Sequence, residues 1–390
     1  MGAFKLHAPT ASNAPAALAI GKLSLFSFRN YTEVRIHCDA APIVLVGANG
    51  GGKTNLLEAI SLLAPGRGLR RALLADLQNR TLSSEPWGVA ADLDTPDGPL
   101  VIGTGRAPCS EGTQDHRLVH INGQPARSAN ALAEPIALTW ITPEMDRLVG
   151  EGATARRKFL DRLVYSFDPA HGARVRRYDK AMRERLRLLR EGRAEAVWLA
   201  GLESDMAQTA VAIAAARLHM IRHLRTVLAE SDDPFPRPLI AARGTAEDQL
   251  TDHPALQVED TLRAAFARAR SDDAQHGTCA VGAHRSDLRI THRAKNCPAE
   301  SCSTGEQKAL LIALMLAYVR LLTIQRDMAP LFLLDDIAAH LDSCRRAALF
   351  DALRALGCQA WLTGTDQDDF AALAPYAQFF RVTDGQVTLL

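Results

Sequence analysis

Val44–Gly68 reads VLVGANGGGKTNLLEAISLLAPGRG, and its order of residue types decides the fold. A short apolar run, Ile43 to Val46, ends in Gly47-Ala48-Asn49-Gly50-Gly51-Gly52-Lys53-Thr54, and a helical pattern starts at Asn55. That is G-x-x-x-x-G-K-T between a buried strand and a helix N-terminus, the setting a phosphate-binding loop requires. The glycines let backbone N–H groups fold around a β-phosphate without Cβ clashes, and the helix dipole adds partial positive charge. Lys53 would reach the β- and γ-phosphates, and the Thr54 hydroxyl would complete the coordination of Mg²⁺. The plainer reading is a glycine-rich turn with no ligand, but motif, strand and helix all agree. Gly47 to Thr54, closed by Asn55, is read as a nucleoside triphosphate site.

The chain has 390 residues, 47% of them apolar, enough for a main domain plus a second one or an insertion. A formal net charge of +1 argues neither for nor against nucleic acid, so only local charge can decide. The seven cysteines (Cys38, Cys109, Cys279, Cys297, Cys302, Cys344, Cys358) form no C-x-x-C pair and no zinc set, and read as reduced thiols of a cytoplasmic protein. No run of eighteen apolar residues occurs, so no membrane span is expected. Residues 1–20, rich in Ala and Pro, read as a disordered leader rather than a signal peptide.

Alternating KLSLFSF from Lys22, followed by Val34 and Ile36, predicts a hairpin. Strand candidates VAADL, LVIGT, RLVHI and ALTWI follow, with a turn signal at Asn122-Gly123. Beyond Pro143-Glu144 the apolar spacing turns helical and stays so to about residue 275. The longest helix there, about 25 residues, would span roughly 40 Å. Strands return at Leu288–Ile290, then a helix over Glu306–Leu322, the strand LFLLDD, the strand AWLTG, and a terminal hairpin through Asp384-Gly385. The expected organisation is α/β, with 21–145 and 276–390 forming one domain and 146–275 an inserted helical lobe.

Leu331-Phe-Leu-Leu-Asp335-Asp336 places two carboxylates at the end of a buried strand, as a second nucleotide motif needs. Asp335 would hold Mg²⁺, and Asp336 would orient and help deprotonate the attacking water. Alone this is a common strand ending; beside a phosphate loop it gains weight. Ser303-Thr304-Gly305-Glu306-Gln307 opens the preceding helix. Ser303 and Glu306 fit a purely structural capping box, S-x-x-E. Gly305 inside the first turn, however, costs about 1 kcal/mol against Ala, which makes sense if a ligand approaches the backbone. This second anion site would read the γ-phosphate held by another subunit.

The order of these motifs is that of ABC-type ATPase heads, and the chain resembles the RecF family, bacterial recombination-mediator ATPases related to SMC heads. Phe28-Arg29-Asn30-Tyr31, GANGGGKTNLLEAISLL, PEMDRLVGEGATARRKFLDRLV, GAHRSDL, STGEQKALLIALMLA and LFLLDDIAAHLDSCRR carry the resemblance, from about Lys22 to the C-terminus. It implies an ABC-type, SMC-like head whose lobe is the lever-arm domain. It also implies ATP and Mg²⁺ as cofactors, and an ATP-dependent homodimer on double-stranded DNA near single-strand gaps. RecO and RecR would be its partners in loading recombinase, in replication restart and in the SOS response. By the same resemblance Asp336 stands where most relatives carry a catalytic Glu, and Glu144 where ABC heads often place the Q-loop glutamine. Ser303, Gly305 and Gln307 would reach a nucleotide across the dimer, with Asp342 beside them. Thr365 occupies the region of the switch histidine, Thr304-Gly305-Glu306 departs from the usual S-x-G-Q, and Ala48 and Ala283 replace common prolines. A shorter carboxylate and no switch histidine imply slow hydrolysis.

His171 to Arg193 holds nine cations (Arg174, Arg176, Arg177, Lys180, Arg183, Arg185, Arg187, Arg190, Arg193) against three acids. It reads either as a solvated helix face or as a set of contacts to duplex phosphates. Arg67, Arg70 and Arg71 form a second cluster, and Arg156, Arg157 and Lys158 a third that would serve equally to pair within the lobe. Two other readings stay open. One is an ABC transporter's nucleotide subunit, disfavoured by the about 250 residues between Thr54 and Ser303. The other is an ATP-binding scaffold with negligible turnover.

Overall fold

Ile43–Val46 forms β3, four buried apolar residues with strands hydrogen-bonded on both sides. The computed structural model describes residues 17–82, 85–107, 116–192 and 195–390, without the side chain of His340. Their contacts divide the chain into two units: residues up to Met145 with Asp232–Phe235 and Met315–Leu390, and Asp146–Ser231 with Pro236–Leu314.

In the first unit β3 belongs to a sheet ordered β15-β14-β3-β13-β12-β8, where β8 is Leu138–Ile141, β12 Leu331–Leu334, β13 Ala360–Gly364, β14 Gln378–Thr383 and β15 Gln386–Leu389. All pairings are parallel except the terminal hairpin, whose turn puts Asp384 and Gly385 at φ 46° and 78°. Strands buried on both faces read as continuous apolar runs, which is why IVLV and LFLL were legible. The register sets Val46 beside Gly364 and Leu334 beside both Leu362 and Ile141, so the carboxyl ends of β3, β13, β12 and β8 lie along one edge. Ligands bind at that edge of parallel sheets.

The second sheet of this unit is antiparallel, β2-β1-β4-β5-β6-β7, formed by β1 (Ala19–Phe28), β2 (Tyr31–His37), β4 (Gly88–Thr95), β5 (Gly98–Arg106), β6 (Arg117–Ile121) and β7 (Gln124–Pro125). Leu23, Leu25, Val89, Ala91, Ile102 and Val119 share one core with Leu56, Ile60, Leu333 and Trp361. Buried Gln359 donates to the carbonyls of Ile20 and Asp39 and accepts from the Ile20 N–H, joining the sheets. The expected leader is therefore too long: Leu18, Ala19 and Ile20 are buried, and Ala17 bridges Ala329. Residues 1–16 lie outside the described residues. Helix α1 (Lys53–Ser61) follows the phosphate loop, starting two residues earlier than the apolar pattern indicated.

The second unit carries α2 (Ala153–Tyr165), α3 (His171–Glu191), α4 (Ala196–Ala229), α5 (Thr245–Gln249), α6 (Ala255–Arg268) and α7 (Arg270–His276). Helix α4 has 34 residues rather than about 25, a length of about 50 Å. A sheet ordered β11-β10-β9, formed by β9 (Pro238–Arg243), β10 (Asp287–His292) and β11 (Cys297–Pro298), corrects the expectation of a purely helical lobe. The expected boundary at 275 also moves, because β9 pairs with β10 along its whole length and draws 276–314 into this unit.

Buried ion pairs bind the second unit. Arg185, fully buried, donates to Glu203 (2.9 Å), Asp273 (2.6 Å) and the Phe266 carbonyl (2.7 Å). Arg217 holds Asp161 in a bidentate pair (2.8 and 2.9 Å), and Arg156 holds Asp287 the same way (2.8 and 2.9 Å). The division between the units falls inside α8 (Thr304–Arg326), between Leu314 and Met315. Among the described residues α8 is long and apolar enough to cross a membrane by length and composition, but 78% of its apolar window is buried in protein. Helix α9 (Ser343–Leu356) follows β12.

Candidate nucleotide site and basic helix

The phosphate loop leaves β3 at Gly47. A Cβ there would lie 2.2 Å from the Val382 carbonyl oxygen, so no side chain fits. Gly52, at φ 115°, caps α1, and a Cβ on it would lie 2.6 Å from the Tyr31 hydroxyl. Ala48, Asn49 and Gly50 form the exposed crest. The turn between β1 and β2 braces the loop from behind: Tyr31 donates its hydroxyl to the Gly52 carbonyl (3.0 Å), and Asn30 donates to the Gly51 carbonyl (3.2 Å) and accepts from Asn55 (2.7 Å). Arg29, at φ 54°, donates twice to buried Glu58 on α1 (2.9 Å each). These props went unrecognised in sequence, although Phe28-Arg-Asn-Tyr31 was among the family's motifs.

Lys53 is buried and donates to the carbonyls of Gly47 (2.7 Å) and Ala48 (3.0 Å). Burial pulls its ammonium below the ordinary lysine value, against the opposing charges of Asp336 and Asp335. Asp335, at the carboxyl end of β12, accepts on Oδ1 from Thr54 Oγ1 and Thr363 Oγ1, both at 2.9 Å. Burial raises its pKa, the two hydroxyls oppose that rise, and Asp336 adds to it. Thr363, fully buried on the intervening strand β13, also accepts from the Asp336 N–H (2.8 Å). One threonine therefore holds the Asp335 carboxylate and the Asp336 backbone, and Asp336 takes φ 48° as the chain turns away. A hydroxyl and a carboxylate are hard oxygen donors, the set Mg²⁺ takes beside nucleotide phosphates.

The other expected residues divide between the two units. Glu144 is exposed in the turn Pro143–Arg147 directly after β8, at the same sheet edge. In the second unit Ser303 and Glu306 form the expected capping box: the Ser303 N–H and hydroxyl donate to Glu306 (3.1 Å each), and the Glu306 N–H donates to Ser303 Oγ (3.4 Å). Lys295 at 2.5 Å holds the Glu306 carboxyl down at about 2, with the Ser303 contacts adding to it. Gln307 turns its amide inward, donating to the carbonyls of Glu300 (3.2 Å) and Cys302 (3.0 Å). Asp342 caps α9 by accepting from the Arg345 N–H (2.8 Å).

Residues 19–388 match the family described as the RecF/RecN/SMC N terminal domain. Proteins named DNA replication and repair protein RecF are 47% identical to the chain in Rhizobium etli and 48% in Mesorhizobium japonicum. Each alignment covers 96% of the chain and 99% or 98% of the relative. The chain belongs to the RecF family. The solved structure titled as the recombination mediator protein RecF-ATPrS in the RecFOR pathway shares its fold at a TM-score of 0.84, over 97% of the chain and 99% of that protein, with 22% identity. A Pyrococcus furiosus Smc head domain superimposes at 0.53 over 96% of each chain, with 17% identity. The fold is the ABC-type, SMC-like ATPase head, and the family assignment removes the transporter-subunit reading.

The basic clusters sort by burial. Arg185 is structural, and Arg193 lies outside the described residues. Arg174 pairs with Asp168, and Arg177 with Asp205 (2.6 Å). Arg176, Lys180, Arg183, Arg187 and Arg190 are exposed at alternating four- and three-residue spacing, one stripe along α3. Within it Arg187 pairs with Glu184 (2.7 Å) and Glu191 (2.6 Å), and Arg190 donates to the Gly277 carbonyl (2.9 Å). Arg70 instead braces the nucleotide loop, donating to Asn55 (2.8 Å) and lying 3.6 Å from Glu58. Its neighbour Arg71 is exposed. In the third cluster Arg156 is buried on Asp287, and Arg157 donates to the Ser286 carbonyl (2.8 Å).

Proposed function

We propose that this protein is an ATP-driven switch on DNA in recombinational repair and replication restart. ATP binding joins two copies on duplex DNA near single-strand gaps, slow hydrolysis parts them, and with RecO and RecR the dimer helps load recombinase in the cytoplasm. The observation that carries the ATP chemistry is the chain Thr54–Asp335–Thr363, which sets a metal-type oxygen pair beside the phosphate loop and reaches the backbone N–H of Asp336. Thr54 and Asp335 would hold Mg²⁺. When bound, that ion neutralises charge building on the β- and γ-phosphate oxygens. Lys53 would exchange the Gly47 and Ala48 carbonyls for those oxygens, a transfer favoured because its ammonium is already partly desolvated.

Asp336 would orient the attacking water and take its proton as the water oxygen bonds to the γ-phosphorus and the bond from that phosphorus to the bridging oxygen breaks, releasing ADP, with Glu144 at the same edge as a second polar group. An aspartate there, with Thr365 in place of a histidine, fits slow turnover. Ser303 and Gly305 at the α8 N-terminus would meet the nucleotide of the other copy, where backbone N–H groups favour an anion. The α3 stripe, with Arg176, Lys180 and Arg183 foremost, supplies cations for duplex phosphates without base readout.

Sedimentation of the D336N variant tests the dimer. It is expected to shift from monomer to dimer with Mg·ATP and to stay dimeric, while K53A does not respond. If D336N binds ATP yet stays monomeric at every concentration, on or off gapped DNA, the composite-site reading fails.

A further inference from the structure

Cys297 on β11 and Cys302 flank the turn that leads into the α8 cap, and their sulfurs lie 3.7 Å apart, both residues partly exposed. Cys302 directly precedes Ser303, and its carbonyl accepts from Gln307, so it is built into the turn that positions the α8 N-terminus. The remaining described thiols differ. Cys279 and Cys358 are buried, Cys38 is half-buried, and Cys344 stands exposed on α9. A paired, accessible set of thiols therefore occurs at this turn alone among the described residues.

We propose that Cys297 and Cys302 are a thiol–disulfide modification site that controls the turn leading into α8. A peroxide supplies the oxidising equivalents. One thiol takes an oxygen from the O–O bond, giving a sulfenic acid and one water. The second thiol displaces the sulfenic oxygen as another water and closes the S–S bond, so two sulfur electrons reduce one peroxide. Bonding requires the sulfurs to approach by about 1.7 Å. The closed bridge anchors Cys302 to β11 and holds Ser303, Glu306 and Gln307 in the self-bonded cap. Ser303 and Gly305 are then kept from a nucleotide on another copy. Lys295 sits at this turn, its ammonium pairing with Glu306 (2.5 Å) and opposing the burial that raises the Cys302 thiol.

The test treats the full chain with hydrogen peroxide and reads two signals. The tryptic peptide Asn296–Lys308 is expected to become lighter by two hydrogens and to revert with dithiothreitol. ATP turnover is expected to fall about 100-fold, the scale for removing one preorganised donor from a charged transition state. It should recover on reduction, and C297S and C302S should keep full turnover in peroxide while C344S still responds. A peptide that stays reduced overturns the proposal, as does equal loss of turnover in C302S or a linked peptide with unchanged turnover. The turnover signal rests on the ATPase reading above, whereas the peptide mass does not. A linked peptide in a protein with no turnover before oxidation would count against that reading, and the control of the turn would then be scored by ATP-dependent sedimentation.

Discussion

Replacing Thr363 by valine keeps the buried volume and removes one hydroxyl. That hydroxyl donates to Asp335 Oδ1 at 2.9 Å and accepts from the Asp336 N–H at 2.8 Å. Losing a bond to a charged group costs about 1.5–3 kcal/mol, and leaving a partly buried N–H unpaired costs about 1–3 kcal/mol. Together they put the loss of stability at about 3–6 kcal/mol. Asp335 also loses one of the two hydroxyl contacts that, with the Arg70 charge, oppose its raised pKa, so a smaller fraction of it is ionised at a given pH. At about 1.4 kcal/mol per factor of ten, one such bond corresponds to at least a tenfold higher Mg²⁺ requirement for turnover. The assay is ATP hydrolysis against Mg²⁺ concentration, beside thermal unfolding, with T363S as the variant that restores the hydroxyl. T363S should stay near wild type in both. If T363V unfolds earlier but keeps the wild-type Mg²⁺ dependence and rate, Thr363 is only a core residue and the positioning argument is refuted.

Arg70→Ala is expected to weaken ATP binding and leave the salt dependence of DNA affinity unchanged. K180A should lower the salt slope by about one phosphate contact, and the reverse pattern would return Arg70 to the DNA surface. Tyr31→Phe removes the bond to the Gly52 carbonyl, costing about 1 kcal/mol, and should raise the Kd for ATP several-fold; an unchanged Kd would mean that the loop needs no brace. Asp161, despite burial, is held down at about 2 by His171 and Arg217. Its folded pKa is depressed, so its stabilisation, about 2 kcal/mol, is complete above the ordinary carboxylate range and is lost as pH falls through about 2. Urea unfolding from neutral pH to pH 2 should show D161N less stable by that amount at neutrality, with the difference closing towards pH 2. A gap that does not close would contradict this origin.

Strands β3 and β12 were legible because they are apolar runs ending in Gly47 and in Asp335-Asp336, and burial on both faces demands such runs; their parallel pairing was not. Thr363 was not, because a threonine inside AWLTG looks like any strand residue until β13 is known to lie between β3 and β12. Arg183 and Arg185 are indistinguishable by composition. Their fates separate because Glu203 and Asp273, 18 and 88 residues away, close over Arg185. Arg70 stays exposed, yet its guanidinium is engaged by Asn55 and Glu58 on α1, partners its composition does not reveal. The helix α4 exceeds the expected about 25 residues because it also runs through Gly201, Ser204 and Asp205, with Leu199 and Met206 both buried. The strand β9 was hidden by the helical spacing around it, and only its antiparallel pairing with β10 reveals it.

The central claim is that two copies complete each other's nucleotide sites on DNA. It is tested most directly by ATP hydrolysis per chain across a range of protein concentrations, with and without duplex DNA. A specific rate that climbs with concentration and climbs further with DNA is expected. A flat rate, indifferent to both, would mean that each chain works alone and that Ser303 and Gly305 touch no nucleotide.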